Sequence, residues 1–305
     1  SALVKFLASY IMKGRMQAMA VASSLALLSL LVPPVSIVSS ATVALVTLRR
    51  GWYEGLLVLL SACVAAAILG VIVLGNYQFA FGYALILWLP VWLLSIVLRE
   101  GRHLSLAIEI SSVLGALAIL GFYLFTQNPA VYWQSILNIM IEPMMQASDA
   151  PIEQVKQTIA MLAKYMTGIL ATGSVTGLLL GLLLARWWQA NLYNPGGFGV
   201  EYLSLRMPSR FTITTVCVFI VAVVAGGAIS EIAWNIGIIL FMLYAFIGTA
   251  IAHAVISATK AKRFLLPIFY MLIFVVPHLV VPVAIIGLSD TWLNLRKNIK
   301  PPSSI

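Results

Sequence analysis

The residues able to do chemistry in this chain are few, and most of them interrupt long apolar runs. His278 lies near the middle of one such run, 264–287, between Pro277 and Pro282. Prolines free backbone carbonyls that must find partners inside the protein or in a wet cavity. An imidazole at that depth can bind a ligand or relay a proton. The same ring can equally stand neutral, hydrogen-bonded to a neighbouring helix. Glu231, Trp234 and Asn235 fall at the outer start of another run, 234–256. A carboxylate, an indole and an amide together suit an outward-facing pocket for a small molecule. Glu231 alone, near a helix N-terminus, would also be favoured by the helix dipole without any ligand. His278, Glu231, Trp234 and Asn235 are therefore the candidate ligand-binding residues. Glu109 sits about a turn and a half into its own run, within pairing reach of Arg102.

Catalytic patterns are missing. The Gly196-Gly197-Phe198-Gly199 cluster lacks the Lys-Ser/Thr of a phosphate-binding loop and follows no parallel strand. No His, Cys and carboxylate spacing resembles a metal site, and no serine sits in a GxSxG elbow. Cys63 and Cys217 each lie inside an apolar run, as thiols acting as small hydrophobes do. The expectation is a protein that is not an enzyme and takes no metal or cofactor.

The elements that must position these residues follow from composition. Of 305 residues, 62% are hydrophobic and 9% charged, against about 25% charged in a soluble domain. Lipid is therefore the solvent for most of the surface, and the fold class is all-α, a single polytopic transmembrane bundle over 1–305. The net charge of +9 is dispersed between apolar runs, which fits membrane orientation and anionic headgroups and argues against nucleic acid. Membrane spans are expected at roughly 52–74, 79–97, 104–125, 165–186, 211–228, 234–256 and 264–287. Segment 16–48 is too long for one span and is interrupted by Pro33-Pro34. It reads either as one kinked helix or as a hairpin of two short crossings, 16–32 and 35–48. Counting positive charge decides. With a hairpin and a cytoplasmic N-terminus, thirteen of the eighteen Lys and Arg fall inside. The result is about eight to nine crossings in a bacterial inner membrane, with an outward C-terminus, although the basic residues Arg296, Lys297 and Lys300 fit that end poorly.

Two connections are more than turns. The outer one, 126–163, carries Gln134, Asn138 and Glu142 at i, i+4, i+8, with Trp133, Ile136, Met140 and Met144 elsewhere on the same helix. That pattern predicts an amphipathic helix lying on the membrane or capping the bundle, ended or kinked at Pro143. A second helical start near Pro151 leads through Ile152, Val155, Ile159 and Leu162 into the next span. The cytoplasmic connection, 187–210, turns at Asn194-Pro195-Gly196-Gly197. Small residues form two stripes. Gly173, Gly177 and Gly181 suit close helix packing, whereas Ala18, Ala22 and Ala26 suit either packing or the face of a separate subunit.

In the cytoplasmic connection, Arg186, Gln189, Asn194, Pro195, Gly196, Gly197, Phe198, Glu201 and the run Leu205-Arg206-Met207-Pro208 resemble the YybS-like family of bacterial polytopic membrane proteins. That family is similar to the substrate-binding S-components of energy-coupling-factor vitamin transporters. The resemblance implies an S-component-like core, an outer ligand pocket and docking on a membrane partner through Ala18, Ala22 and Ala26. More crossings than six and the long inner loop depart from that pattern. The expected function is transporter-like: binding of a small molecule in an outward-opening pocket, with a separate energising partner. The alternative is a non-transporting scaffold or regulatory subunit. The expected partners are membrane lipids, the small molecule, and a membrane-protein subunit or a second copy of the chain.

Overall fold

The computed structural model describes residues 2–101, 103–149 and 151–299, which are helical with no strand among them. Helix α1 (Ala2–Ile11) leads into α2 (Arg15–Leu28) and α3 (Val35–Arg50). Pro33 and Pro34 fall in the turn between α2 and α3, so this segment is the hairpin and not one kinked helix. Helix α3 is the innermost element, with every residue from Ser39 to Leu48 buried. It packs along α9 (Ile152–Tyr193). There a Cβ on Gly181 would meet Ser40 Oγ at 2.2 Å, while Gly173 and Gly177 have nothing within 4 Å. The expected three-glycine packing stripe is thus one contact.

After Gly51 the chain continues as α4 (Trp52–Leu74). Next come α5 (Gln78–Tyr83), a π-helical turn at Ala84–Trp88, and α6 (Leu89–Gly101), which together form one apolar run. Then follow α7 (Leu104–Phe125), α8 (Pro129–Gln146), α9, α10 (Gly197–Leu203), α11 (Ser209–Val224) and α12 (Gly227–Ser257). The chain finishes with α13 (Lys262–Val275), a 3-10 turn at Pro277–Leu279 and α14 (Val280–Leu293). Among the described residues five segments are long and apolar enough to cross a bilayer: 52–74, 78–101, 104–125, 152–193 and 227–257. The α13–α14 pair makes a sixth only if it counts as one span despite a 110° bend. Helices α2, α3 and α11 have 14, 16 and 16 residues, short of the roughly 20 that a span needs. Helix length therefore does not carry the expected eight to nine crossings.

Side-chain contacts define the two ends. Arg15 meets Glu54 at 2.6 Å, joining the starts of α2 and α4. Arg99 donates to Leu48 O at 2.6 Å, joining the ends of α6 and α3. Arg49 lies 3.7 Å over the Tyr193 ring at the end of α9. Arg210 meets Glu109 at 3.1 Å, joining the starts of α11 and α7. Glu109 thus has a partner from another helix; Arg102, its expected one, lies outside the described residues. This arginine end also holds the segment after α14: Arg296 donates to Leu203 O and Leu205 O, each at 2.6 Å. The sequence reading set the C-terminal tail and the 187–210 connection on opposite sides; Arg296 instead brings the two together, after a 110° bend between α13 and α14. Among the described basic residues only Lys156 and Lys164 lie toward the opposite end, a sharper charge asymmetry than the sequence count.

The alanine stripe is enclosed. Ala18, Ala22 and Ala26 are 0% exposed, and Ser39 Oγ donates to Ala22 O at 2.7 Å. Helix α2 presents this face to α3 and α4, so the three alanines serve the chain's own packing and leave no surface for a separate subunit. Small side chains are what allow those backbones to approach in a lipid-embedded bundle.

Candidate functional site

Helix α9 has 42 residues, about 63 Å at 1.5 Å per residue, or twice a bilayer's hydrocarbon thickness. Part of its N-terminal length pairs with α8. Asn128 starts α8 by accepting from Val131 N at 3.3 Å, with Pro129 in the first turn. Trp133 Nε1 donates to Thr167 Oγ1 at 2.8 Å, and its ring stacks on Phe122 at 5.5 Å. These contacts fix the base of α8, which packs against α9. The amphipathic helix is therefore half of a hairpin instead of a lone surface cap. It also runs through Pro143 to Gln146.

The predicted polar stripe faces into that hairpin. Gln134, Asn138, Glu142 and Gln146 of α8 line an open groove of about 690 Å³ with Lys156 and Ile152 of α9 and with Met145. None of the five polar side chains makes a hydrogen bond or ion pair to the rest of the described chain. Glu142 and Lys156 thus offer one carboxylate and one ammonium, from different helices, to the same space. Amide side chains beside them supply both donors and acceptors.

A second polar cluster lies further along α9, where α12 crosses it, and it is closed. Asn235 is 0% exposed. Its Nδ2 donates to Lys164 O at 3.0 Å and to Glu231 O at 2.8 Å, and its Oδ1 accepts from Gly168 N at 2.7 Å. Lys164 O and Gly168 N are the two sides of one α-helical rung, so an α12 side chain brackets the backbone of α9. The approach requires glycine, since a Cβ on Gly168 would meet Asn235 backbone atoms at 2.7 and 2.8 Å. Glu231 Oε1 accepts from Tyr123 OH at 2.6 Å. Both amide protons of Asn235 are in use, and stripping partners from a buried polar group costs about 1–3 kcal/mol. This knot holds α7, α9 and α12 together.

The structure separates the other sequence candidates. Trp234 is adjacent in sequence to the knot but turns away, 36% exposed and edge-on to Phe219 with ring centres 6.3 Å apart. His278 sits in the 3-10 turn at the 110° break between α13 and α14 and is exposed. It lacks the enclosure that a midplane histidine inside a bundle would have. Helix α14, which follows it, packs on the later half of α12, where a Cβ on Gly248 would meet Val283 O at 1.9 Å. Glu231 lies in the first turns of α12. The four residues therefore line no common pocket.

At the arginine end the 187–210 connection is clamped down. Gly196, with φ of +87°, makes the turn that a residue with a Cβ resists, next to Asn194 and Pro195 and before Gly197 opens α10. Arg186 bonds Glu201 and Gln189, both at 2.8 Å, while Glu201 Oε1 has no partner among the described residues. Asp290, 1% exposed, takes Arg296 at 3.0 Å and Arg206 at 3.4 Å. Arg206 also bonds Asn294. Glu201 and Arg206 are thus fasteners between the loop and the bundle. Asp290 went unnoticed in the sequence, though its place beside Arg296 in an otherwise apolar run was a signal. Lys156 and Gln146 were missed for a different reason: the i, i+4 stripe of α8 gives no hint of which helix faces it.

One protein-family model, described as "Predicted membrane protein (DUF2232)", matches residues 20–291. No curated protein and no solved structure matches the chain.

Proposed function

Because the chain belongs to that family of membrane proteins, we propose that it is a membrane-embedded binding component, transporter-like in role. It takes a small polar zwitterion in the groove between α8 and α9. One observation carries this reading: five polar side chains converge on a single concavity and none is bonded to another of the described residues. An amine set against Glu142 and a carboxylate set against Lys156 would gain charge-assisted hydrogen bonds. Gln134, Asn138 and Gln146 would read polar atoms between them. The groove's volume lies within the range of small-molecule sites, roughly 300–1,000 Å³. Positive charge at the other end supports placing the arginine end, with the N-terminus and the 187–210 loop, in the cytoplasm of a bacterial inner membrane, and the groove outside.

The test is binding to purified protein in nanodiscs, with free L-glutamine, a glutamine dipeptide and sucrose as probes. Thermal stabilisation by the zwitterions and none by sucrose is the expected result. Equal response to all three, or to none, would remove the zwitterion reading. The exposed apolar residues Ile139, Met140 and Met144 on the same hairpin favour a second reading, a scaffold docking a partner protein through α8. In that case a protein would co-purify with the chain in the absence of any small molecule and be lost in Ile139→Ser.

A further inference from the structure

Helix α13 is the least enclosed long element of the fold. None of its 14 residues is buried, and Phe264, Met271 and Phe274 are 71%, 58% and 84% exposed. Tyr270 ties it to the bundle, its OH bonded to His253 Nδ1 at 2.8 Å and also to Tyr202. The chain bends by 110° between α13 and α14, and α13, with 14 residues, is on its own shorter than the roughly 20 that a span needs. An apolar helix this exposed, with only Leu266, Phe269 and Ile273 partly covered, is stable only in lipid or under a partner. Its charge pattern selects between these. Lys260, Lys262 and Arg263 collar its start, all exposed, and none forms an ion pair or hydrogen bond with the described chain. No carboxylate occurs between Glu231 and Asp290 to neutralise them.

We propose that α13 is a lipid-seated arm whose Lys260, Lys262 and Arg263 collar binds the anionic headgroups of the leaflet at the arginine end. The apolar body sinks among acyl chains while three unpaired cations meet phosphates at the surface, the arrangement expected of a helix held by burial and charge together.

The experiment uses the full chain, monitored by native mass spectrometry during titration with phosphatidylglycerol or phosphatidylcholine. Wild type should retain phosphatidylglycerol preferentially. K260Q/K262Q/R263Q should lose that preference by about tenfold or more, since each basic residue near an anionic surface contributes several-fold. K164Q, which removes charge at the opposite end, should keep it. A triple variant that retains the wild-type preference, or a K164Q variant that loses it equally, would overturn the proposal. The three side chains are exposed and unbonded, so the fold should persist. As a second route that leaves two of the cations intact, K262E alone should weaken phosphatidylglycerol retention, and unchanged retention in K262E would also overturn it.

Discussion

Helix α9 carries two polar regions a few turns apart, and they have opposite fates. Around Lys164 and Gly168, the amide of Asn235 is fully enclosed and has a partner for each of its protons. Around Lys156, the amides and the carboxylate of α8 face a groove and have no partner among the described residues. Both regions attract attention in sequence for the same reason, polar residues beside apolar runs. The difference teaches that polarity in such a chain marks function only where the hydrogen-bonding capacity is left open. Where it is satisfied between helices, it is packing.

The largest expected effect is all-or-none. If the groove and the arginine end are on opposite sides, Gln157→Cys should react with an impermeant thiol reagent on intact spheroplasts. Ser204→Cys and Lys297→Cys should stay at the wild-type background until the membrane is opened. Labelling of Lys297→Cys together with Gln157→Cys would return the C-terminus to the outer side.

Next in size is the knot itself. Asn235→Leu leaves Gly168 N, Lys164 O and Glu231 O without their side-chain partner and should destabilise by about 2–4 kcal/mol, read as a lower unfolding midpoint in nanodiscs. A midpoint within error of wild type would mean that the knot is not structural. Ala22→Leu forces a larger side chain against α3 and should cost about 1–3 kcal/mol by overpacking. Stability unchanged on that substitution would contradict the enclosed position of the stripe. At the bottom of the series, Asn138→Leu in the open groove should change stability by no more than about 0.5 kcal/mol. A loss comparable to that of Asn235→Leu would show the two regions to be alike after all.

Much of the scaffold was legible because hydrophobic run length and proline placement act locally. The Pro33-Pro34 turn, the runs over 52–74 and 104–125, and the continuation from Ile152 into the following span all follow from rules that need no tertiary information. The break at Pro277 was not legible, because 264–287 has the apolar length of a span and length does not reveal that α13 and α14 meet at 110°. The basic residues after Trp292, which sit badly with an outer end, meet the 187–210 connection through Arg296. Of the site, the Gln134, Asn138 and Glu142 stripe was visible from its period, but its facing wall was not. Asn235 and Glu231 were correctly picked as unusual. Their partners, Tyr123, Lys164 O and Gly168 N, come from helices remote in sequence, and two of those partners are backbone atoms that no residue type advertises. The YybS-like residues of the inner loop, Arg186, Glu201 and Arg206 among them, turn out to fasten that loop to the bundle.

The central claim is that Glu142 and Lys156 hold the two charged ends of one bound zwitterion, and a charge swap tests it most directly. Titration of L-glutamine into nanodisc-embedded Glu142→Lys and Lys156→Glu should each show binding weakened by about tenfold or more, from like-charge repulsion at one end of the ligand. The double variant, with both charges exchanged, should recover binding in part, because the zwitterion can enter the groove reversed. Single reversals that bind as wild type does, or a double variant no better than the worse single, would contradict the account.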